Sequence, residues 1–296
     1  MHATLIINPY AGRWKAQRQR DQVESVLAEH GIRARILESQ APGEVIQLAR
    51  TAAQAGHGPI LVAGGDGTIG EVVNGLFQAN PDGVLGPIGI IPLGTANDLV
   101  VNLGLPSTLA GAAAAVRGGR TQRIDLGRAN EWVFDNNSAV GLEPVVTLYN
   151  IRMRRLKGIL RYLVAALRAI GDKGEWHMTL EWDDGHFEGP VSLVSVGNCP
   201  LTGGLFRMAP AADPTDGLLT FVYGYAPTRR KMLSLLPRTL SGRFVEDPAI
   251  HQHHTRRLVI TSEPATPLQV DGELRSEGLR QVVYEALPQR LDVYVT

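Results

Sequence analysis

Apolar positions along the first 125 residues alternate between two periods. Short runs dense in apolar and β-branched residues stand at "ATLIINP", "IRARILES", "GPILVAGG" and "IGIIPLG", and each reads as a strand. Between them the spacing becomes helical. Val23, Val26 and Leu27 share one face of "QRDQVESVLAEHG", with Gly31 as a stop signal. "PGEVIQLARTAAQAG" follows the same rule, as does "TIGEVVNGLFQ" through Ile69, Val72, Val73 and Leu76, and "TANDLVVNLG" opens one more helix. Strands separated by helices imply parallel βαβ units with helices on both sheet faces. Sheets of that kind bind ligands beyond the carboxyl ends of their strands.

After "RTQRIDLGRA" the pattern changes. One long helix is predicted over about residues 145–170, followed by strand-like runs: "EWHMTLEWDDGHFEG", "PVSLVSVGN", "GLLTFVYGY", "RRLVITS", "PLQVDGEL" and "RLDVYVT". In the first of these, Asp184-Gly185 is a hairpin signal. The expected fold class is therefore α/β. A parallel-sheet domain over residues 1–125, open to completion by residues 285–296, precedes a β-rich, sandwich-like domain over residues 126–284.

With 296 residues, of which 44% are hydrophobic and 20% charged, the chain can fill two cores. Lys+Arg and Asp+Glu are equal at 29 each, so no global field draws the protein to nucleic acid. The single cysteine, Cys199, excludes an internal disulfide and a thiolate zinc cluster. No signal-peptide pattern opens the chain, and no apolar run approaches the roughly 20 residues that span a bilayer. A cytoplasmic protein with at most peripheral membrane contact is expected.

The chemistry concentrates in glycine turns at strand ends. In "ILVAGGDGTIGEVVNGL" the glycines let backbone N–H groups approach a ligand, and the following helix start favours an anion, so a phosphate is the natural guest. Asp66 would repel it unless a divalent cation bridges the two, or unless the carboxylate takes a proton from an attacking hydroxyl. Either use belongs to phosphoryl transfer. Thr68 with Glu71, and Thr95 with Asp98 in "IGIIPLGTANDLV", have capping-box spacing. "LIINPYAG", with Asn8, Pro9 and Gly12, is a third strand exit. Alone, "GGDGT" is equally a tight turn in which Asp66 caps a helix; three such exits from neighbouring strands favour a nucleotide crevice.

The motifs "NPYAG", "GGDGTIGEVVNGL", "PLGTANDL" and "QVDGEL", with "RIDLG", "NNSAVGLEPVV" and "APAADPTDGLL" among them, run across nearly the whole chain. In this order they resemble the diacylglycerol kinase catalytic-domain family, which includes bacterial YegS-type lipid kinases and sphingosine kinases and is distantly related to NAD kinases. The resemblance implies an NAD-kinase-like first domain, ATP and Mg²⁺ in a cleft between the domains, and a lipid acceptor of the diacylglycerol or sphingoid type held mainly by the second.

It also implies residues. Nucleotide contacts fall on Asn8, Pro9, Gly12 and Ser39, on Gly64, Gly65, Asp66, Gly67, Thr68, Ile69, Gly70 and Glu71, and on Gly94, Thr95, Asn97 and Asp98. A Mg²⁺ loop is implied at Asp213, Asp216 and the carbonyl of Leu218. Asp66, Asp125, Asp271 and Glu273 are the candidates for base and for metal or water anchor, with Glu273 favoured as base and Asp66 favoured on the catalytic Mg²⁺. Gly70 stands where many relatives have asparagine, Ser39 where many have threonine, and Thr220 where they often have aspartate.

Three further features have competing readings. The segment with Arg152, Arg154, Arg155, Lys157, Arg161 and Arg168 around Ile159, Leu163, Leu167 and Ile170 is either a core-facing helix with a solvated basic face or a surface that lies on an anionic membrane. His251, His253 and His254 in "HQHH" are read as an exposed turn rather than a zinc site, and Gly203-Gly204 as a turn that could shape a lipid entrance. The alternatives to a lipid kinase are an NAD kinase and a non-catalytic nucleotide-binding regulator.

Overall fold

The computed structural model describes residues 1–56, 58–153, 158–172 and 174–296, which divide into two compact units, 1–126 with 288–296, and 127–287. The first unit runs β1 (His2–Ile7), α1 (Ala11–Glu29), β2 (Arg33–Glu38), α2 (Glu44–Ala55), β3 (Ile60–Gly64), α3 (Asp66–Ala79), β4 (Leu85–Pro92), α4 (Asp98–Asn102), α5 (Leu109–Gly118) and the start of β5 (Thr121–Ala129). Its strands lie side by side in the order β2-β1-β3-β4, all parallel. Leu5, Ile7, Leu61, Ala63 and Ile91 pack with Val23 and Leu27 of α1 and with Ala112, Ala113 and Val116 of α5. Ile6 and Val62, of opposite parity in their strands, are equally buried, so both faces of the sheet are covered.

The helices of one face meet unusually closely. A Cβ on Gly75 of α3 would stand 2.3 Å from the Ile46 carbonyl oxygen and 2.7 Å from Cβ of Ala49, both in α2. The end of the chain completes the sheet: Leu291 and Val293 pair in parallel with Leu85 and Ile88 of β4. Arg123 of β5 clamps this returning segment through Asp292, at 2.8 Å and 3.1 Å.

The second unit contains β6 (Trp132–Phe134), β7 (Asn137–Gly141), α6 (Leu142–Arg152), α7 (Gly158–Asp172), β8 (Trp176–Trp182), β9 (Gly185–Val191), β10 (Leu193–Gly197), β11 (Leu219–Gly224), α8 (Arg229–Leu235), two 3₁₀ turns (Leu236–Leu240 and Arg243–Glu246), β12 (Ile250–Thr255), β13 (Arg257–Val270) and most of β14 (Glu273–Tyr294). The strands pair antiparallel in the order β12-β11-β10-β7-β13-β14, with the β8–β9 hairpin joined to β13. Phe134, Met178, Leu180, Val194, Phe221, Leu258, Ile260 and Tyr284 fill its core.

Several expectations change here. The long helix over 145–170 is two helices, since α6 ends at Arg152 where Met153 leaves helical geometry; residues 154–157, which include Arg154, Arg155 and Lys157, lie outside the described residues. Within α7 the small face is inward. Ala165, Ala166, Ala169 and Ile170 are buried, while Leu160, Leu163 and Leu167 are 57%, 40% and 45% exposed. "HQHH" is not a turn but part of β12, where His251 stacks on Tyr223 at 5.0 Å and His253 on Phe221 at 5.5 Å, so aromatic contacts favour the extended form. The β8–β9 turn uses Asp183-Asp184, and Gly185 already belongs to β9. "RRLVITS" and "PLQV" are one bulged strand, β13. Helix α5 was not foreseen because its alanine-rich segment carries little contrast between faces.

The Gly75 contact yields a direct test. Gly75→Ala is expected to lose roughly 1–3 kcal/mol of stability despite the better helix propensity of alanine, because overpacking at backbone distance outweighs it. Urea unfolding should show a lower midpoint with an unchanged slope.

Candidate active site

From β1 the chain goes to β2 on one side and then to β3 on the other, so the strand order of the parallel sheet reverses between β1 and β3, which opens a crevice at their carboxyl ends. The exits of β1, β3 and β4 meet there. Asn8 Nδ2 donates to Thr68 Oγ1 at 3.3 Å, and the amides of Leu93 and Gly94 both donate to the Gly64 carbonyl at 2.8 Å and 3.1 Å. A Cβ on Gly65 would lie 2.9 Å from Cα of Gly94, and one on Gly94 would lie 2.5 Å from Cα of Gly65. The "GGDGT" and "PLGTAND" loops therefore touch backbone to backbone, and glycine is required at the contact.

Asp66 joins the same two loops through its side chain. Oδ2 accepts from the Asn97 amide at 2.9 Å and Oδ1 from the Asp98 amide at 2.6 Å. Neither predicted capping box forms. Helix α3 starts at Asp66, because the extended Gly65 carbonyl already takes the amides of Thr68 and Ile69, so Thr68 lies inside the first turn. Helix α4 starts at Asp98 behind a left-handed Asn97 (φ 54°), and its leading amides are capped by Asp66 from 32 residues away rather than by Thr95. Burial raises the Asp66 pKa, and the amides of Asp98 and Asn97 oppose that rise.

Other predicted nucleotide residues take distinct places. Pro9 is buried, Gly12 sits in the first turn of α1, Ser39 is buried just beyond β2, and Thr95 is exposed in the loop. Gly67 lies in the first turn of α3 and Glu71 in its second, half-buried. Ile69 and Gly70 are buried within α3. The Ile69 amide donates to the Gly65 carbonyl, and the Gly70 carbonyl accepts Asn74 Nδ2 at 2.8 Å.

Of the remaining acids, two are struts. Asp125 is fully buried and accepts the Gln289 amide at 2.6 Å, holding that residue in a left-handed conformation (φ 52°) within the returning C-terminal segment. Asp271 and Gly272, at φ 46° and 77°, form the two-residue turn between β13 and β14. The Asp271 carboxylate accepts from the amides of Asp135, Asn136 and Asn137 at 3.2, 3.1 and 3.0 Å. Glu273 follows the turn with an exposed side chain; the protein around its carboxyl raises its pKa, and Arg275 opposes this.

Asp213 and Asp216 are exposed on the loop before β11. Asp213 Oδ1 accepts from Thr215 N and Oγ1 at 2.9 Å and 2.6 Å, and Asp216 Oδ1 accepts from Leu218 N at 2.9 Å, which leaves each a second oxygen. Among the described residues no group of three His, Cys, Asp or Glu could cage a metal. One or two carboxylates, a carbonyl and water suit Mg²⁺, which keeps much of its hydration and shares substrate phosphates, so these residues fit that ion.

A family model described as the diacylglycerol kinase catalytic domain matches residues 2–129, and one described as the YegS C-terminal NAD kinase beta sandwich-like domain matches residues 137–295. The chain belongs to the diacylglycerol kinase catalytic-domain family. It is 26% identical to a diacylglycerol kinase of Staphylococcus carnosus over 99% of this chain and 94% of that one, and 27% identical to one of Bacillus subtilis over 92% and 89%. A solved diacylglycerol kinase structure from Bacillus anthracis shares the fold, with a TM-score of 0.76 at 21% identity, covering 100% of this chain and 97% of that one. Membership in this family makes the protein a phosphotransferase with an alcohol group as acceptor, and supports a lipid kinase. The family departure at Thr220 is absorbed locally: the buried hydroxyl pairs with His254 Nδ1 at 3.0 Å.

The family's second domain here contains an apolar cavity of about 130 Å³, lined by residues of α6, α7, α8 and the 3₁₀ turns and reaching Gly272. Its wall includes Glu143, which the sequence analysis did not single out. Oε1 of Glu143 accepts from Asn137 Nδ2 at 3.0 Å and Gln269 Nε2 at 3.2 Å. Burial raises the carboxyl from 4.5 to about 7, with Asn137, Ser195 and Gln269 opposing. The residue keeps some surface toward the cavity while the carboxyl itself is enclosed. An acid between Leu142 and the apolar Pro144, Val145 and Val146 was the available signal.

Because the folded-state value lies above the unfolded one, stability declines as pH rises from about 4.5 to about 7 and the penalty is complete above that. Glu143→Gln is therefore expected to match the parent at pH 4 and to exceed it by up to about 3 kcal/mol at pH 8. Urea unfolding at the two pH values measures the difference.

Proposed function

We propose that the protein transfers the γ-phosphate of ATP, in a Mg²⁺-dependent reaction, to a hydroxyl of a diacylglycerol-type or sphingoid-type lipid. The observation that carries this reading is the apolar cavity ending beside the Asp271-Gly272 turn, since a hydrocarbon-lined wall suits a lipid chain and offers a dinucleotide little. The glycine loops of the first unit supply the complementary feature, backbone amides and a helix start for phosphates.

In this reading Glu273 accepts the proton of the lipid hydroxyl as that oxygen bonds to the γ-phosphorus and the bond to the β-phosphate bridge breaks, leaving ADP and a lipid phosphate. Its raised pKa suits a base. Asp271 and Asp125, bound to backbone amides, are the weaker candidates. Asp66 would hold the catalytic Mg²⁺, and Asp213, Asp216 and the Leu218 carbonyl a second. Mg²⁺ supplies charge compensation for the transferring group. Peripheral membrane contact belongs to the same proposal: α7 exposes Leu160, Leu163 and Leu167 beside Arg161 and Arg168, and no helix among the described residues is long and apolar enough to cross a bilayer.

The test is transfer from γ-labelled ATP to diacylglycerol, monoacylglycerol, ceramide and sphingosine in mixed micelles, with NAD as soluble control. Label in one lipid is expected, reduced at least about 100-fold by Glu273→Gln and by Asp66→Ala. Label only in NAD would make the protein a dinucleotide kinase, and ATP binding without transfer a regulator.

A further inference from the structure

The turn that leads into Glu273 is held by two residues that meet at one oxygen. Asp271 and Gly272 sit between the paired Val270 and Glu273, both left-handed, at φ 46° and 77°. In a turn of this length the cross-turn bond uses the amide of the last residue and leaves the amides of the central pair without a local acceptor. Here the Asp271 amide donates to the Asn137 carbonyl at 2.8 Å, and the Gly272 amide donates to Oε1 of Gln269 at 2.8 Å. Asn137, at the start of β7, and Gln269, near the end of β13, then each donate a side-chain N–H to Oε1 of Glu143, at 3.0 Å and 3.2 Å. Glu143 lies in the first turn of α6, so one oxygen on that helix gathers both arms that hold the turn. Among the described residues nothing lies within 4 Å of where a Cβ on Gly272 would stand, so hydrogen bonds rather than packing confine that side.

A glutamine amide presents N–H groups at one end and an oxygen at the other. With Nε2 of Gln269 drawn to Glu143, its Oε1 faces the Gly272 amide. The reversed amide would set oxygen against oxygen at Glu143 and N–H against N–H at Gly272. Asn137 and Gln269 are both buried, so water does not replace a lost partner. Oε1 of Glu143 accepts in the neutral and in the ionised carboxyl alike, so the arrangement does not depend on titration. We propose that Glu143 is a positioning residue for Glu273, acting through Asn137 and Gln269 to fix the Asp271-Gly272 turn. The proposal rests on the reading of Glu273 as proton acceptor. The Glu143 carboxyl is itself enclosed and acts on the reaction only through these two amides. Displacing a reacting group by about 1 Å costs on the order of 100-fold in rate, which is why a turn held this way bears on catalysis.

Two measurements on the full chain test this. Amide hydrogen exchange followed by NMR reports the turn without turnover, and steady-state transfer from γ-labelled ATP to the same lipid panel reports the base. Glu143→Met and Gln269→Met, close in volume to the parent side chains but without their hydrogen bonds, should speed exchange of the Gly272 amide at least about tenfold and lower kcat at least about tenfold, with KM for ATP within about twofold of the parent. Glu143→Gln keeps Oε1 as acceptor and turns its new N–H toward Ser195, whose hydroxyl lies beside the carboxyl without a partner in hydrogen-bond geometry; it should stay within about threefold of the parent in both measurements. In a Glu273→Gln background, Glu143→Met should lower the remaining activity by less than about twofold, since its effect runs through the group already removed. Parental Gly272 exchange in Glu143→Met would overturn the proposal, as would a glutamine variant as impaired as the methionine variant, or an undiminished further loss in the Glu273→Gln background, the mark of a general structural defect. Should Glu143→Met not fold, Glu143→Asp, which withdraws the same acceptor by one methylene, carries the same expectations. The two readings fail separately: full activity in Glu273→Gln defeats the base alone, and Gly272 exchange decides the turn in either case.

Discussion

The carboxylate of Asp66 holding the amides of Asn97 and Asp98 is the bond on which the glycine-loop site depends. It ties the loop after β3 to the loop after β4 and starts α4, while Gly65 and Gly94 let the two backbones touch. Without it, two helix-leading amides would lose their acceptor at roughly 1–3 kcal/mol for a buried group, and the loops would be held by the Gly64 carbonyl and the Gly65–Gly94 backbone contact. The aspartate amid glycines is thus first a structural cap, and each oxygen retains capacity for a cation.

The same device recurs. Asp125 and Asp271, like Asp66, accept backbone N–H groups. Amide donors stabilise a carboxylate without introducing a counter-charge. Glu143 departs from this rule in one respect, since its donors are side-chain amides gathered on a single oxygen.

The helices of the second unit divide their apolar residues between two tasks. In α7 the alanines approach the cavity and core, and Leu160, Leu163 and Leu167 face outward with Arg168. Small residues inward leave room behind the helix, and large ones outward give it a surface suited to an apolar environment.

Alternating periods, turn residues and ordered motifs made the parallel α/β unit, the antiparallel unit and the positions of the glycine loops legible in the sequence. These rest on interactions between near neighbours: backbone sterics at glycine, the two-residue Asp271-Gly272 turn, and one apolar face per element. The misreadings were also local. Thr68 and Thr95 have cap spacing, yet the caps were taken by Gly65 and by a carboxylate 32 residues distant. The inward face of α7, the extended histidines of β12, the three amides on Asp271 and the burial of the Glu143 carboxyl were decided by tertiary structure alone. Desolvation and choice of hydrogen-bond partner depend on which distant segments arrive, and segments as far apart as Asn137 and Gln269 meet at one carboxyl only once the sheet has formed.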